Sequence, residues 1–171
     1  YLQPSDLQPE SQWALLRESQ ADALCLPHTG MVSNIDLGDA KDIHPKTKRE
    51  VGRRMAAIAL NQTYGKHKTA FTAPVYERYT VEADGIHIHF ATPQGSEPLV
   101  IEDNLPGFIL AGANRQWHVA KAKVLSGNEV VVSCQGVHFP VAVRYGWADN
   151  PTCTLRTQSG LHVAPFRTDR W

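Results

Sequence analysis

Apolar residues follow two rhythms along this sequence, and the change comes just past residue 66. The first rhythm is helical. Trp13, Leu16, Gln20 and Leu24 fall on one stripe with Leu15 and Ala23 beside it, which predicts a helix over residues 5–24 that Pro27 ends. Met31, Ser33 and Ile35 alternate with Val32, Asn34 and Asp36, so residues 31–37 read as a short strand. Val51, Met55, Ile58 and Ala59 then recur at helical spacing and predict a second helix over residues 48–64. Thr47 and Glu50 are spaced as a capping box at its start, and Gly65 stands as its C-terminal cap. Helix, strand, loop, helix is the order in which a parallel α/β domain ends, and residues 1–66 are too few to stand alone as one.

The second rhythm has no helical period. Short apolar runs at residues 76–81, 86–90, 99–101, 107–111, 118–124, 130–134 and 137–145 are separated by Gly, Pro, Asp and Asn, the pattern of an antiparallel β-sandwich or jelly roll. Ala83-Asp84-Gly85 marks a hairpin between the first two runs. Residues 149–171, rich in Pro, Thr, Arg and Gly, predict a tail without regular structure. The expected fold is therefore α/β plus all-β, with the parts divided at residues 1–66 and 67–171.

Composition narrows the partners. The formal net charge is zero over 171 residues, which provides no basic field for nucleic acid, and no apolar run approaches the ~18 residues of a membrane span. Small molecules or neutral polymers remain. Tyr1-Leu-Gln-Pro4 does not read as a translation start, so the chain is expected to be a fragment or a processed product, and a missing signal peptide says nothing about compartment. Cys25, Cys134 and Cys153 cannot all pair; they read as free thiols or as one Cys134–Cys153 disulfide, and no two have metal-ligand spacing.

The densest chemistry lies in residues 36–45, where Asp36, Asp39 and Asp42 precede His44 and Pro45 between the predicted strand and helix. A histidine there exchanges a proton near neutrality, and a carboxylate on its far ring nitrogen, Asp42 or Asp39, would fix its tautomer. The same loop also reads as turn and capping chemistry, with Asp side chains bonding nearby backbone donors. His87 and His89 share one face of a predicted strand opposite Ile86, Ile88 and Phe90; they make half of a metal site, and with no third ligand nearby in sequence no metal or cofactor is expected. Trp147, Tyr145 and Trp117 could stack on sugar rings or pack the core. Arg144, Arg156 and Arg167 could hold a carboxylate of an acidic sugar, or pair with Asp149, Asp169 and backbone carbonyls. No Gly-x-Ser-x-Gly elbow or Gly-Asp-Ser block supplies a nucleophile.

Residues 36–54, Asp-Leu-Gly-Asp-Ala-Lys-Asp-Ile-His-Pro-Lys-Thr-Lys-Arg-Glu-Val-Gly-Arg-Arg, resemble the final catalytic block of sialate O-acetylesterases and related carbohydrate acetylesterases of the SGNH-hydrolase superfamily. Trp13-Ala-Leu-Leu-Arg-Glu-Ser-Gln20 is similar to the helix before that block, and Val143-Arg-Tyr-Gly-Trp147 with Pro165-Phe-Arg-Thr-Asp-Arg-Trp171 to the family's C-terminus. The resemblance implies the end of a flavodoxin-like SGNH domain followed by a β-sandwich completed by strands from an N-terminal part. It implies that His44 is the catalytic histidine of a Ser-His(-Asp) esterase acting on acetyl esters of sugars, with Asp42 or Asp39 as the acid. Lys41 holds the position, three before the histidine, where many such enzymes carry their Asp. The catalytic serine and the oxyanion-hole Gly and Asn would come from an upstream segment or a second chain, and the location would be periplasmic, secreted or lysosomal. Trp147, Tyr145 and Arg144 are the candidate substrate contacts. Two rivals remain: a glycan-binding β-sandwich module without chemistry, and a structural subunit, which predicts an exposed apolar face.

Overall fold

The computed structural model describes residues 7–66 and 70–171. Its centre is a sandwich of two four-stranded sheets. The strands are β1 (Val75–Glu82), β2 (Gly85–Ala91), β3 (Phe108–Gly112), β4 (Trp117–Val119), β5 (Lys121–Ser126), β6 (Glu129–Ser133), β7 (Pro140–Tyr145) and β8 (Phe166–Arg167). One sheet has the order β1-β2-β6-β5 and the other β4-β3-β7-β8, with every strand pair antiparallel.

Alternation along the strands explains the core. Ile86, Ile88 and Phe90 of β2, Val130 and Val132 of β6, and Ala122 and Val124 of β5 point inward against Phe108 and Leu110 of β3 and Val143 and Tyr145 of β7. Each fully buried large side chain contributes about 1.5–3 kcal/mol relative to leaving it in water. The Ala83–Gly85 hairpin forms as predicted. A Cβ on Gly85 would stand 2.4 Å from the Val132 carbonyl oxygen, so only glycine lets β6 approach there.

Three expectations for this part change. The run at 118–124 breaks into β4 and β5, which belong to different sheets; at the corner Ala120 donates its N–H to the Phe108 carbonyl (2.9 Å). Residues 99–101 make an isolated bridge, Leu99 to Thr157, instead of a ladder. The tail expected to be irregular supplies β8, which pairs with the end of β7.

The N-terminal part departs further. Helix α1 (Gln12–Asp22) is shorter than the expected 5–24; residues 1–6 lie outside the described residues. Ser11 caps it, accepting the Ala14 N–H (3.1 Å), and one 3-10 turn, Ala23–Cys25, follows. Its buried contact is Ala14, against Ile109 and Trp147, while the predicted stripe of Trp13, Leu16 and Leu24 is exposed. This covers the second face of β3, which is buried along its whole length. Residues 31–37 are not a strand: they have no regular structure to Asn34 and turn through Leu37. Alternation alone does not make a strand, because the backbone donors and acceptors need a partner edge. The expected parallel sheet is not formed among the described residues. Helix α2 (Lys48–Gln62) follows, with Met55 and Leu60 exposed and Arg54 and Asn61 buried. Gly65 takes a positive φ of 63° at its end, as expected of the cap.

Long-range polar contacts fasten this part to the sandwich. Ser11 Oγ donates to Asp149 Oδ1 (2.6 Å), Arg17 donates to the Gly146 and Ala148 carbonyls, and Arg167 forks onto both carboxylate oxygens of Glu18 (2.8 and 2.7 Å).

Candidate active site

The loop from Asp36 to Thr47 is held at both ends. At its start Arg54 of α2 donates from Nη1 to Asp36 Oδ1 (2.7 Å) and from Nη2 to Asp36 Oδ2 (2.6 Å). The same guanidinium reaches the Ser33 carbonyl (2.7 Å) and Glu50 (3.0 Å). Burial pushes the Asp36 carboxyl up, but its bonds to Arg54 and the nearby His162 outweigh this and hold it below the ordinary value. Glu50 is brought down to about 2 by its bonds to Arg53 first, then Arg54, against a smaller desolvation. At the far end the Thr47 hydroxyl donates to the Leu37 carbonyl (2.8 Å). The predicted capping box is therefore absent: Thr47 begins the helix but makes no side-chain cap, and Glu50 is taken by the two arginines, which offer charge-assisted bonds.

Between these anchors the carboxylates divide the work. Asp39 Oδ1 accepts the Lys41 N–H (2.9 Å), a local turn. Asp42 Oδ1 accepts the His44 N–H (2.8 Å) and lies 3.1 Å from His44 Nδ1. Asp42 thus holds the turn and also lies against the imidazole. His44 has 80% of its side chain exposed. With its proton on Nδ1 toward Asp42, its Nε2 lone pair faces outward, where it can accept a proton from another group.

Trp147, Tyr145 and Arg144 are not brought to this loop, and a role at a sugar surface does not survive their burial. The Tyr145 hydroxyl accepts the Leu155 N–H (3.0 Å), and Trp147 Nε1 donates to the Pro9 carbonyl (3.1 Å). Arg144 forks onto Asp169 (2.9 and 2.6 Å), also bonds the Pro9 and Trp171 carbonyls, and lies 4.3 Å from the Trp117 ring centre and 5.0 Å from that of Trp147. Trp117 in turn packs on Trp171. Arg156 faces Glu102 (3.6 Å). No disulfide joins Cys134 and Cys153. His87 is buried between Asp84 and Glu129; burial pushes its pKa down, but its contacts with Glu129, Asp84 and Glu82 together outweigh this and raise it.

Sequence reasoning missed Arg54 and His162. His162 Nε2 lies 3.6 Å from Asp36 Oδ2, and burial pushes its pKa down. For Arg54 the readable signal is Glu50 at i−4; its bond to Asp36, 18 residues away, depends on the fold. Beside the loop a cleft of about 410 Å³ opens between α1 and residues 31–40, lined by Trp13, Leu16, Arg17, Ile35, Asp39 and Pro165.

No protein-family model matches the sequence, and no curated protein matches it. Among solved structures the chain is similar to the crystal structure of XAC1771, a novel carbohydrate acetylesterase from Xanthomonas citri. The likeness has a TM-score of 0.86 and 39% sequence identity, and covers 99% of this chain and 38% of that one. This chain thus spans less than two fifths of the length of the protein it matches.

Proposed function

We propose that this chain is the histidine-bearing portion of a carbohydrate O-acetylesterase whose serine nucleophile is supplied by a further segment or a second chain. The observation that carries the reading is the exposed His44 with Asp42 at 3.1 Å on its Nδ1, on a chain similar almost throughout to a carbohydrate acetylesterase. His44 Nε2 takes the serine proton as Oγ attacks the acetyl carbonyl, then returns it to the departing sugar hydroxyl. Nε2 next takes a proton from water, whose oxygen attacks the acyl-enzyme carbonyl, and gives that proton to the serine Oγ as acetate leaves. Asp42 holds the tautomer and stabilises the imidazolium at both stages. The exposed apolar side chains of Trp13, Leu16, Leu24, Met55 and Leu60 support a seat for the rest of the hydrolase domain. Sialate O-acetyl esters are the finer choice, and they rest on the resemblance of residues 36–54 to that group. A periplasmic, secreted or lysosomal location belongs to the same reading.

The test is acetate release from acetylated sugars and 4-nitrophenyl acetate by the assembled protein, wild type against His44→Ala. Loss of at least about 10³-fold in kcat/KM is expected. An unchanged rate, or glycan binding without acetate release, would overturn the reading in favour of a binding or structural module.

A further inference from the structure

Away from the loop, the outer face of the β1–β2 hairpin gathers a second set of ionisable groups. Glu82 ends β1, Asp84 sits in the turn, and His87 is the third residue of β2. His87 Nε2 lies 2.9 Å from Asp84 Oδ1 and 3.7 Å from Glu82 Oε2, and the three donor atoms lie within 4.8 Å of one another. Ligands at ~2.0–2.1 Å from a tetrahedral zinc ion are separated by about 3.4 Å, which falls inside this range.

Two of the three groups are oriented from behind. His87 Nδ1 is 2.8 Å from Glu129 Oε1 on β6, which orients the ring so that Nε2 is aimed at Asp84 and Glu82. Thr80, paired with His87 across the hairpin, donates its hydroxyl to Glu82 Oε1 (3.1 Å) and leaves Oε2 toward the imidazole. The His87 side chain is only 8% exposed, whereas Glu82 and Asp84 are 51% and 66% exposed, so the site is rigid at its base and open to water at its mouth. Three carboxylates surround one imidazole, and among the described residues no Lys or Arg forms an ion pair with any of them. At 2.9 Å the Nε2–Asp84 contact is a hydrogen bond, and a divalent ion bound there would take the place of the Nε2 proton.

We propose that Glu82, Asp84 and His87 bind one divalent transition-metal ion, with zinc favoured by the mixed nitrogen and oxygen donors, Glu129 as the carboxylate behind the histidine, and water completing the shell. The ion clasps the hairpin tip to β2. It is independent of the esterase loop.

The experiment titrates zinc chloride into the full chain carrying Cys25→Ser, which removes the exposed thiol, and reads calorimetric binding together with the melting temperature. One ion per chain and a rise in melting temperature are expected. Glu82→Gln with Asp84→Asn, both at exposed positions, should abolish both effects while the metal-free melting temperature stays near that of the parent. Glu129→Gln should weaken zinc about 10- to 100-fold. No binding by the parent, or binding unchanged in the Glu82/Asp84 variant, would overturn the site and leave His87 as an imidazolium bridging its carboxylates.

Discussion

Replacing Arg54 with alanine removes one buried guanidinium and four acceptors' partner at once: both oxygens of Asp36, the Ser33 carbonyl and Glu50 Oε1. Stranding one member of a buried ion pair costs about 3–5 kcal/mol. Asp36 keeps 19% of its side-chain exposure, and water can reach part of what is lost, so the lower end, about 3 kcal/mol, is the expected destabilisation. For a chain of 171 residues each kcal/mol moves Tm by about 2–4 °C, which puts the variant about 6–12 °C below the parent. Arg54→Lys should recover little, because an ammonium cannot fork across both Asp36 oxygens. Urea unfolding of the parent, both single variants and the Arg54→Ala/Asp36→Asn double variant separates the pair from general packing. Under the proposed function the same change should lower kcat by about 10²-fold, as expected when a catalytic group shifts by about 1 Å. Stability within about 0.5 kcal/mol of the parent, with kcat unchanged, would refute the claim that Arg54 anchors the loop.

Two further outcomes follow from the loop's electrostatics. Asp42→Asn should lower kcat by up to about 10⁴-fold by freeing the wrong tautomer, whereas Asp39→Asn, which loses only a turn bond to Lys41, should leave it within a few-fold; steady-state assays of the two side by side check this. The folded carboxyls of Glu50, at about 2, and Asp36, below its ordinary value, resist protonation longer than the unfolded ones. The unfolded chain therefore binds more protons as pH falls below about 4.5, and stability declines from there toward pH 2. A series of Tm values across that range should show a shallower decline in Glu50→Gln.

The strand faces were legible because their period is local. Ile86, Ile88 and Phe90 alternate with His87 and His89, and that alternation alone sends one set to the core. The helical stripes were legible as helices but not as buried faces. Trp13, Leu16 and Met55 sit at the right spacing and still face outward, because among the described residues no element packs over them. Tyr145 and Trp147 could not be assigned from sequence, because an aromatic that stacks on a sugar and one that fills a core look alike. Here the decision lies in the Arg144–Asp169 pair, 25 residues apart, and in the carbonyl of Pro9, 135 residues from Arg144. Of the candidate site, Asp42 and His44 were readable as two residues on one turn. Arg54, which positions that turn, was not, because its main partner, Asp36, is 18 residues away in the loop that precedes the helix.

The clasp between α1 and the end of the sandwich has a kinetic meaning. Ser11 with Asp149 and Glu18 with Arg167 join residues 138 and 149 positions apart, so the chain must already be nearly assembled before either bond can form. Contacts that close after the rate-limiting step do not hasten folding; they slow escape from the folded state. Removing the Glu18 carboxylate should steepen loss of structure in a denaturant jump and leave the refolding limb untouched. The lifetime of the folded chain is then governed at its two ends, while the speed at which it forms is governed in the hairpins between them.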